Sequence, residues 1–254
     1  MIESFFLFAV GIIVGFFGTI LGVGGGFIVV PLLTIMYQFS PQVAVGTSMV
    51  IVALNAISGT IAYVRQKRID YQTGFLFAIA TLPGSFLGAY ILQYISKPVF
   101  DIGFGIFLCG VVLYLGIRKQ PLSEIIDIAS FQRPAYNKIL GLSISFFVGF
   151  VASMAGIGGG VIHVPAMIYL FYFPPFIAIP TSHFILSISA TFAAASHASI
   201  GEVQWSFVPY LGLGAIMGAQ LGGKLSHQIK SQWIIRGLLV VMILGAIRMI
   251  VRYL

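Results

Sequence analysis

Two five-residue clusters, Gly22-Val23-Gly24-Gly25-Gly26 and Gly156-Ile157-Gly158-Gly159-Gly160, are the first candidates for chemistry in this chain. Four glycines in five positions make a poor helix interior, because glycine loses more backbone freedom than any other residue. A helix that restarts after such a break presents unpaired N–H groups, and these attract anions. Neither cluster runs on into the Gly-Lys-Ser/Thr that grips nucleotide phosphate and magnesium, so a nucleotide loop is a poor fit. Hydroxyl donors follow: Thr47-Ser48 after Pro41, and Thr181-Ser182 after Pro174 and Pro180. The same hydroxyls would also suit helix N-caps or bonds back to the helix's own carbonyls.

His163 lies three residues past the second cluster, and His183 directly follows Thr181-Ser182. A histidine inside a membrane span is costly to bury and marks function by default. Both are candidates to take a proton and couple transport to pH, since histidine titrates near neutrality. The plainer alternative is a histidine hydrogen-bonded to a backbone carbonyl. His197 and His227 sit nearer span ends and read as ordinary. Asn55, Ser58, Ser187 and Ser189 could line the same cavity or bond between helices. The candidate substrate-binding set is therefore Gly22, Gly24, Gly25, Gly26, Thr47, Ser48, Asn55, Gly156, Gly158, Gly159, Gly160, His163, Thr181, Ser182 and His183. No catalytic residue, metal ligand or cofactor is expected. The acids Glu3, Asp70, Asp101, Glu124, Asp127 and Glu202 all fall at span ends or in loops. A cation carrier usually keeps a buried carboxylate, so this set favours an anion.

The elements that must position these residues are membrane spans. The chain is 59% hydrophobic and 7% charged, against roughly 25% charged in soluble domains. Apolar stretches run from about Phe5 to Tyr37, Val43 to Val64, Thr73 to Ile95 and Val99 to Ile117, then Ile139 to Phe173, Ile177 to Ile200, Phe207 to Leu225 and Ile234 to Val251. The first of each four is too long for one crossing, at roughly 50 Å against a core of about 30 Å. Each holds a glycine cluster, so each should be two pieces: a hairpin or a pair of short helices. Glu3 is the only early charge, and no basic region precedes the first apolar run, which argues against a cleaved signal peptide. Cys109, the single cysteine, reads as a packing residue.

The four stretches occur twice. Each residue of the second cluster lies 134 positions after its mate in the first, and the same offset carries Thr47-Ser48 onto Thr181-Ser182, Gly84 and Gly88 onto Gly218 and Gly222, and Gly103 onto Gly237. The Gly-x-x-x-Gly pairs read as helix packing. The chain is thus one membrane domain over residues 1–254: a first repeat over 1–118, a connecting loop over 119–138, and a second repeat over 139–254. With five segments per repeat, the second should be inverted relative to the first, and loop charge agrees. Arg65-Gln66-Lys67-Arg68 is basic while its mate around Gly201-Glu202 is not. The next loops reverse this, with Lys97 and Asp101 cancelling in one and Lys224, His227 and Lys230 in the other. The positive-inside rule then places Arg65–Arg68, Arg118-Lys119, Arg133 and Lys138 in the cytoplasm, and it absorbs the net charge of +7 without a nucleic-acid partner. Arg248 and Arg252, near an end that should lie outside, run against the pattern.

The doubled motif resembles that of the sulfite exporter TauE/SafE family of membrane permeases. The likeness is carried by Gly18-Thr19-Ile20-Leu21-Gly22-Val23-Gly24-Gly25-Gly26 with Pro31 and Val45-Gly46-Thr47-Ser48. It recurs in Ser153-Met154-Ala155-Gly156-Ile157-Gly158-Gly159-Gly160 with Pro165 and Pro180-Thr181-Ser182. The resemblance implies a permease for a small sulfur-containing anion, such as sulfite, thiosulfate, sulfoacetate or another organosulfonate, acting as an exporter in the inner membrane of a prokaryote. The residues add alternating access of the two repeats and lipid as surroundings. They leave open an anion channel, a metal or cation carrier using the histidines, and a monomer or homodimer. An intramembrane hydrolase using Ser182 or Ser187 fits poorly, because Ser182 and His183 point about 100° apart on a helix.

Overall fold

A computed structural model describes residues 2–117 and 132–226, together with Ile243 and Ile247. Among the described residues the regular structure is entirely helical. In chain order it comprises α1 (Ile2–Leu21), α2 (Gly26–Pro31, continuing as a wide π turn over Leu32–Met36), α3 (Pro41–Arg65), α4 (Tyr71–Leu92), α5 (Lys97–Ile117), α6 (Lys138–Ala155), α7 (Gly160–Tyr169), α8 (Pro175–Ser199) and α9 (Val208–Leu225). The last expected span, Ile234 to Val251, lies outside the described residues apart from Ile243 and Ile247. His227, Lys230, Arg248, Arg252 and most of the connecting loop also lie outside them.

Five helices, α1, α3, α4, α6 and α8, are long and apolar enough to cross a bilayer. The two that follow the glycine clusters are not. Gly26–Met36 and Gly160–Tyr169 reach roughly 15 Å at 1.5 Å per residue, about half a bilayer core. Each overlong stretch is a hairpin. Beyond α2, Tyr37 comes back beside Glu3 at the start of α1. Beyond α7, Phe171 and Phe173 pack their rings on Tyr136, just ahead of α6.

Helix starts differ from the expectation for Thr47-Ser48 and Thr181-Ser182. Ser40 caps α3, accepting from the Val43 N–H at 3.4 Å, with Pro41 in the first turn. Pro174 precedes α8, and Pro175 opens it. Proline is tolerated at a helix start because its missing N–H would be unpaired there in any case. Both Thr-Ser pairs therefore sit well inside their helices and serve as caps for neither.

α3 and α8 form the centre: 78% and 61% of their apolar windows are buried, against 39% to 44% for α1, α4 and α6. The outer helices pack as two close pairs, α1 with α9 and α4 with α6. Glycine permits both. A Cβ on Gly84 or Gly88 would run into the Phe146 or Phe150 carbonyl of α6. On Gly218 or Gly222 it would meet the Ile12 or Phe16 carbonyl of α1. These contacts correspond under the 134-residue offset, since Phe146 and Phe150 are the mates of Ile12 and Phe16. Lipid supplies no hydrophobic drive between helices, so this close approach of small residues is what holds them.

The basic residues gather where α3 ends and α4, α6 and α8 begin. Arg133, ahead of α6, donates to Asp70 ahead of α4 at 2.8 Å, and Thr73 donates to the same carboxylate at 2.6 Å. Burial by itself would raise the Asp70 pKa. The bonds from Arg133 and Thr73 outweigh it and hold the carboxyl below its ordinary range.

Candidate functional site

The site is built where the two glycine breaks cross. Gly24 and Gly158 hold φ of 85° and 75°, a left-handed conformation that side chains other than glycine rarely adopt. Gly26 and Gly160 are needed for a different reason. A Cβ on Gly26 would strike the Gly156 carbonyl and stand 2.8 Å from the Ile157 Cα. On Gly160 it would strike the Gly22 carbonyl and stand 2.7 Å from the Val23 Cα. The breaks touch backbone to backbone. Among the described residues, the amides of Gly25, Gly26, Gly159 and Gly160 donate to no acceptor outside their own helices.

Two of the four expected hydroxyls reach the crossing. Ser48 donates to the Gly156 carbonyl at 2.7 Å, and Ser182 donates to the Gly22 carbonyl at 3.4 Å. Each serine thus braces the other repeat's break. The threonines do not reach it. Thr47 accepts from the Gln204 N–H at 2.9 Å, and Thr181 accepts from the Asp70 N–H at 3.0 Å, pinning loops at opposite ends. Ser58 donates to the Ile216 carbonyl of α9, so it bonds between helices and lines no cavity here.

A buried polar cluster lies against the first break. The Asn55 amide donates to the Gly24 carbonyl at 2.9 Å, which leaves its oxygen to accept from Thr19 at 2.9 Å. With the Thr19 proton so used, the 3.4 Å contact from Thr19 Oγ1 to His183 Nε2 requires the imidazole to donate. The neutral ring then carries a bare lone pair on Nδ1, and among the described residues this atom has no partner. Ser153 Oγ, three residues before the second break, is likewise buried and without a partner among the described residues. Room for the imidazole comes from Gly59, where a Cβ would stand 2.5 Å from Nε2. Tyr63 closes the cluster, donating to the Thr19 carbonyl at 2.8 Å with its ring edge-on to His183.

The other expected histidine is elsewhere. His163 bonds Ser145 at 3.2 Å and stacks on Phe77, so it shares no partner with His183. His197 is not an ordinary span-end residue: it is fully buried, pairs with Glu202 at 2.7 Å and contacts the Ser153 carbonyl at 3.2 Å. Thr19 and Tyr63 are cluster members beyond the sequence-based set. One signal pointed to them: Thr19 and Ser153 are repeat mates, as are Tyr63 and His197, and each pair carries a polar side chain in both copies.

The donors the arrangement leaves over are the glycine amides of the two breaks, and among the described residues no carboxylate bonds to the cluster. Among the described residues, no three His, Cys, Asp or Glu side chains gather as a metal site. Ser182 and Ser187 both donate to carbonyls, not to a histidine, so neither is set up as a nucleophile.

Broken helices meeting inside a polytopic helical bundle define a membrane transporter. The chain belongs to the sulfite exporter TauE/SafE family, whose model matches residues 7–249. It is 36% identical over 256 residues to the probable membrane transporter protein YunE of Bacillus subtilis, covering 94% of each chain. It is 27% identical over 224 residues to a probable membrane transporter protein of Xylella fastidiosa, covering 87% of this chain and 84% of the relative. A relative from Methanocaldococcus jannaschii, probable membrane transporter protein MJ0441, is 29% identical over 167 residues, 63% of this chain and 60% of that one. No solved structure matches the chain.

Proposed function

We propose that this protein is a secondary carrier exporting a small sulfur-containing anion, such as sulfite, thiosulfate, sulfoacetate or another organosulfonate, across the cytoplasmic membrane. The observation that carries the reading is His183 Nδ1, buried in the polar cluster on the first break and without a partner among the described residues. A buried polar atom without a partner calls for an explanation, and a ligand is one. When protonated, Nδ1 becomes a donor. Together with the amides of Gly25, Gly26, Gly159 and Gly160, which have no acceptor outside their own helices among the described residues, it would hold the oxygens of an oxyanion.

The breaks touch, so an anion seated between them has to part them. That parting fits alternating access better than a continuous pore. We take the two repeats to be inverted. The reciprocal contacts support this: Ser48 to Gly156 mirrors Ser182 to Gly22, and Gln204 to Thr47 mirrors Asp70 to Thr181. Rocking one repeat against the other would then expose the crossing to either side in turn.

The test is binding of sulfite, thiosulfate, methanesulfonate and sulfoacetate, with acetate and Zn2+ as comparators, followed by thermal unfolding of the purified protein. A sulfur oxyanion should stabilise it selectively. At a concentration about a hundred times its Kd the gain would be roughly 2.7 kcal/mol. Stabilisation by Zn2+ and by no anion would sink the reading in favour of a cation carrier.

The orientation has its own test. Lys67 is exposed in the basic loop after α3. In a Cys109→Ser background, Lys67→Cys should resist a membrane-impermeant thiol reagent applied to intact cells and react once they are opened. Labelling in intact cells would reverse the topology.

A further inference from the structure

Arg68 is a buried cation that pairs with no carboxylate among the described residues. It is 4% exposed, and the nearby Asp70 is held by Arg133. Its partners are all neutral. Nε donates to the Phe176 carbonyl at 3.1 Å, and Nη1 donates to Gln66 Oε1 and Ser226 Oγ, both at 2.9 Å. Its carbon lies 3.8 Å over the Phe176 ring and 5.4 Å from the centre of the Tyr63 ring. Among the described residues Nη2 donates to nothing. Neutral oxygens repay only part of the cost of taking a charge out of water, so such a charge is costly to keep for structure alone.

The repeat makes the same point. The mate of Arg68 is Glu202, and the mate of Tyr63 is His197. One copy sets an arginine over a tyrosine; the other sets a glutamate on a histidine. The duplicated fold therefore does not require a cation at this place. Position adds a role. Tyr63 touches both Arg68 and His183, so the guanidinium stands one ring away from the central cluster. It also joins the end of α3 to the start of α8 and the end of α9, and so ties the first repeat to the second.

We propose that Arg68 is the cytoplasmic-side binding residue for the transported oxyanion. Its guanidinium holds neutral oxygens while this mouth is closed and exchanges them for the anion's oxygens when it opens. Separation of the repeats would break the bonds to Phe176 and Ser226 and keep the one to Gln66. The freed donors would then present a planar fork of the kind that binds two oxygens at once. The proposal rests on the anion-carrier reading.

The test measures affinity for sulfite, thiosulfate and methanesulfonate in wild type, Arg68→Gln, Arg68→Lys and Ser226→Ala. Arg68→Gln should weaken the anion that wild type binds by about tenfold or more, as loss of a charged hydrogen-bond donor would. Arg68→Lys keeps the charge without the fork and should lie between. Ser226→Ala, which removes one bond of the closed mouth and no charge, should stay within about twofold of wild type. If Arg68→Gln does not fold, Arg68→Lys against Ser226→Ala decides. Wild-type affinity in the arginine variants, or equal weakening by Ser226→Ala, would show that the guanidinium only shapes the closed mouth. If wild type itself responds to none of these anions, the carrier reading fails and takes this proposal with it.

Discussion

Gly26→Ala and Gly160→Ala should each abolish transport and lower the unfolding temperature, while Gly103→Ala leaves both near wild type. Two effects compete at these positions. Alanine is the better helix former by about 1 kcal/mol, and Gly26 and Gly160 each open a helix, so propensity alone predicts stabilisation. Against it stands overpacking, which costs roughly 1–3 kcal/mol where side chains can shift and more where they cannot. Here the obstruction is backbone: the Gly156 carbonyl for Gly26 and the Gly22 carbonyl for Gly160. These are also the carbonyls that Ser48 and Ser182 hold, so a displaced break loses its brace as well. Packing should win. At Gly103 a Cβ meets nothing within 4 Å, so only propensity remains there. Uptake into proteoliposomes and thermal unfolding of the three variants measure the contrast. Wild-type transport by Gly26→Ala would mean that the breaks need not touch.

Gly88 does not serve as a tolerant comparator, although its spacing marks it as ordinary packing. A Cβ there would meet the Phe150 carbonyl, as unyielding an obstacle as the one at Gly26. Spacing reveals that two helices approach closely; it does not reveal how closely, because that depends on what the partner presents. The same limit explains what was legible in this chain. The apolar helices among the described residues and both breaks follow from composition, since apolar length and glycine content act locally. The duplication of the breaks is also visible in the sequence, at a fixed offset of 134 residues, but the offset records likeness and not the contact between them.

The polar cluster was only half visible. Asn55 and His183 stand out as polar residues in apolar runs, but Thr19 bonds His183 across 164 positions, and no periodicity encodes that. Thr47-Ser48 and Thr181-Ser182 stood out as a group and then separated in the structure. Neighbours on a helix point about 100° apart, so Ser48 reaches a break while Thr47 turns to the Gln204 amide. The cap of α3 was missed: Ser40-Pro41, a capping residue followed by the proline that suits a first turn, starts the helix, and Thr47-Ser48 does not. His197 was misjudged because its burial depends on the loop after α8. That loop returns Glu202 onto the histidine and lays the Glu202 carbonyl against Gly46.

His183→Ala should slow transport by ten- to a hundredfold and flatten its pH dependence, with the protein still folded. The range corresponds to one hydrogen bond to a charged group, about 1.5–3 kcal/mol. The sign follows from the site. If an anion is held by the protonated ring, as proposed, wild-type transport should rise as pH falls and more of the imidazole carries its second proton. The variant has no such group and should show no such rise. His163→Ala separates this from the general cost of losing a buried histidine. His163 is as buried as His183, but its Nε2 is bonded to Ser145 and its ring is stacked on Phe77, away from the crossing. Its removal should cost stability through the cavity it leaves and spare the pH profile. Transport assayed from pH 5 to pH 8 in both variants distinguishes the two. A flattened profile in His163→Ala, with a wild-type profile in His183→Ala, would move the proton site from the crossing to the α6–α7 hairpin.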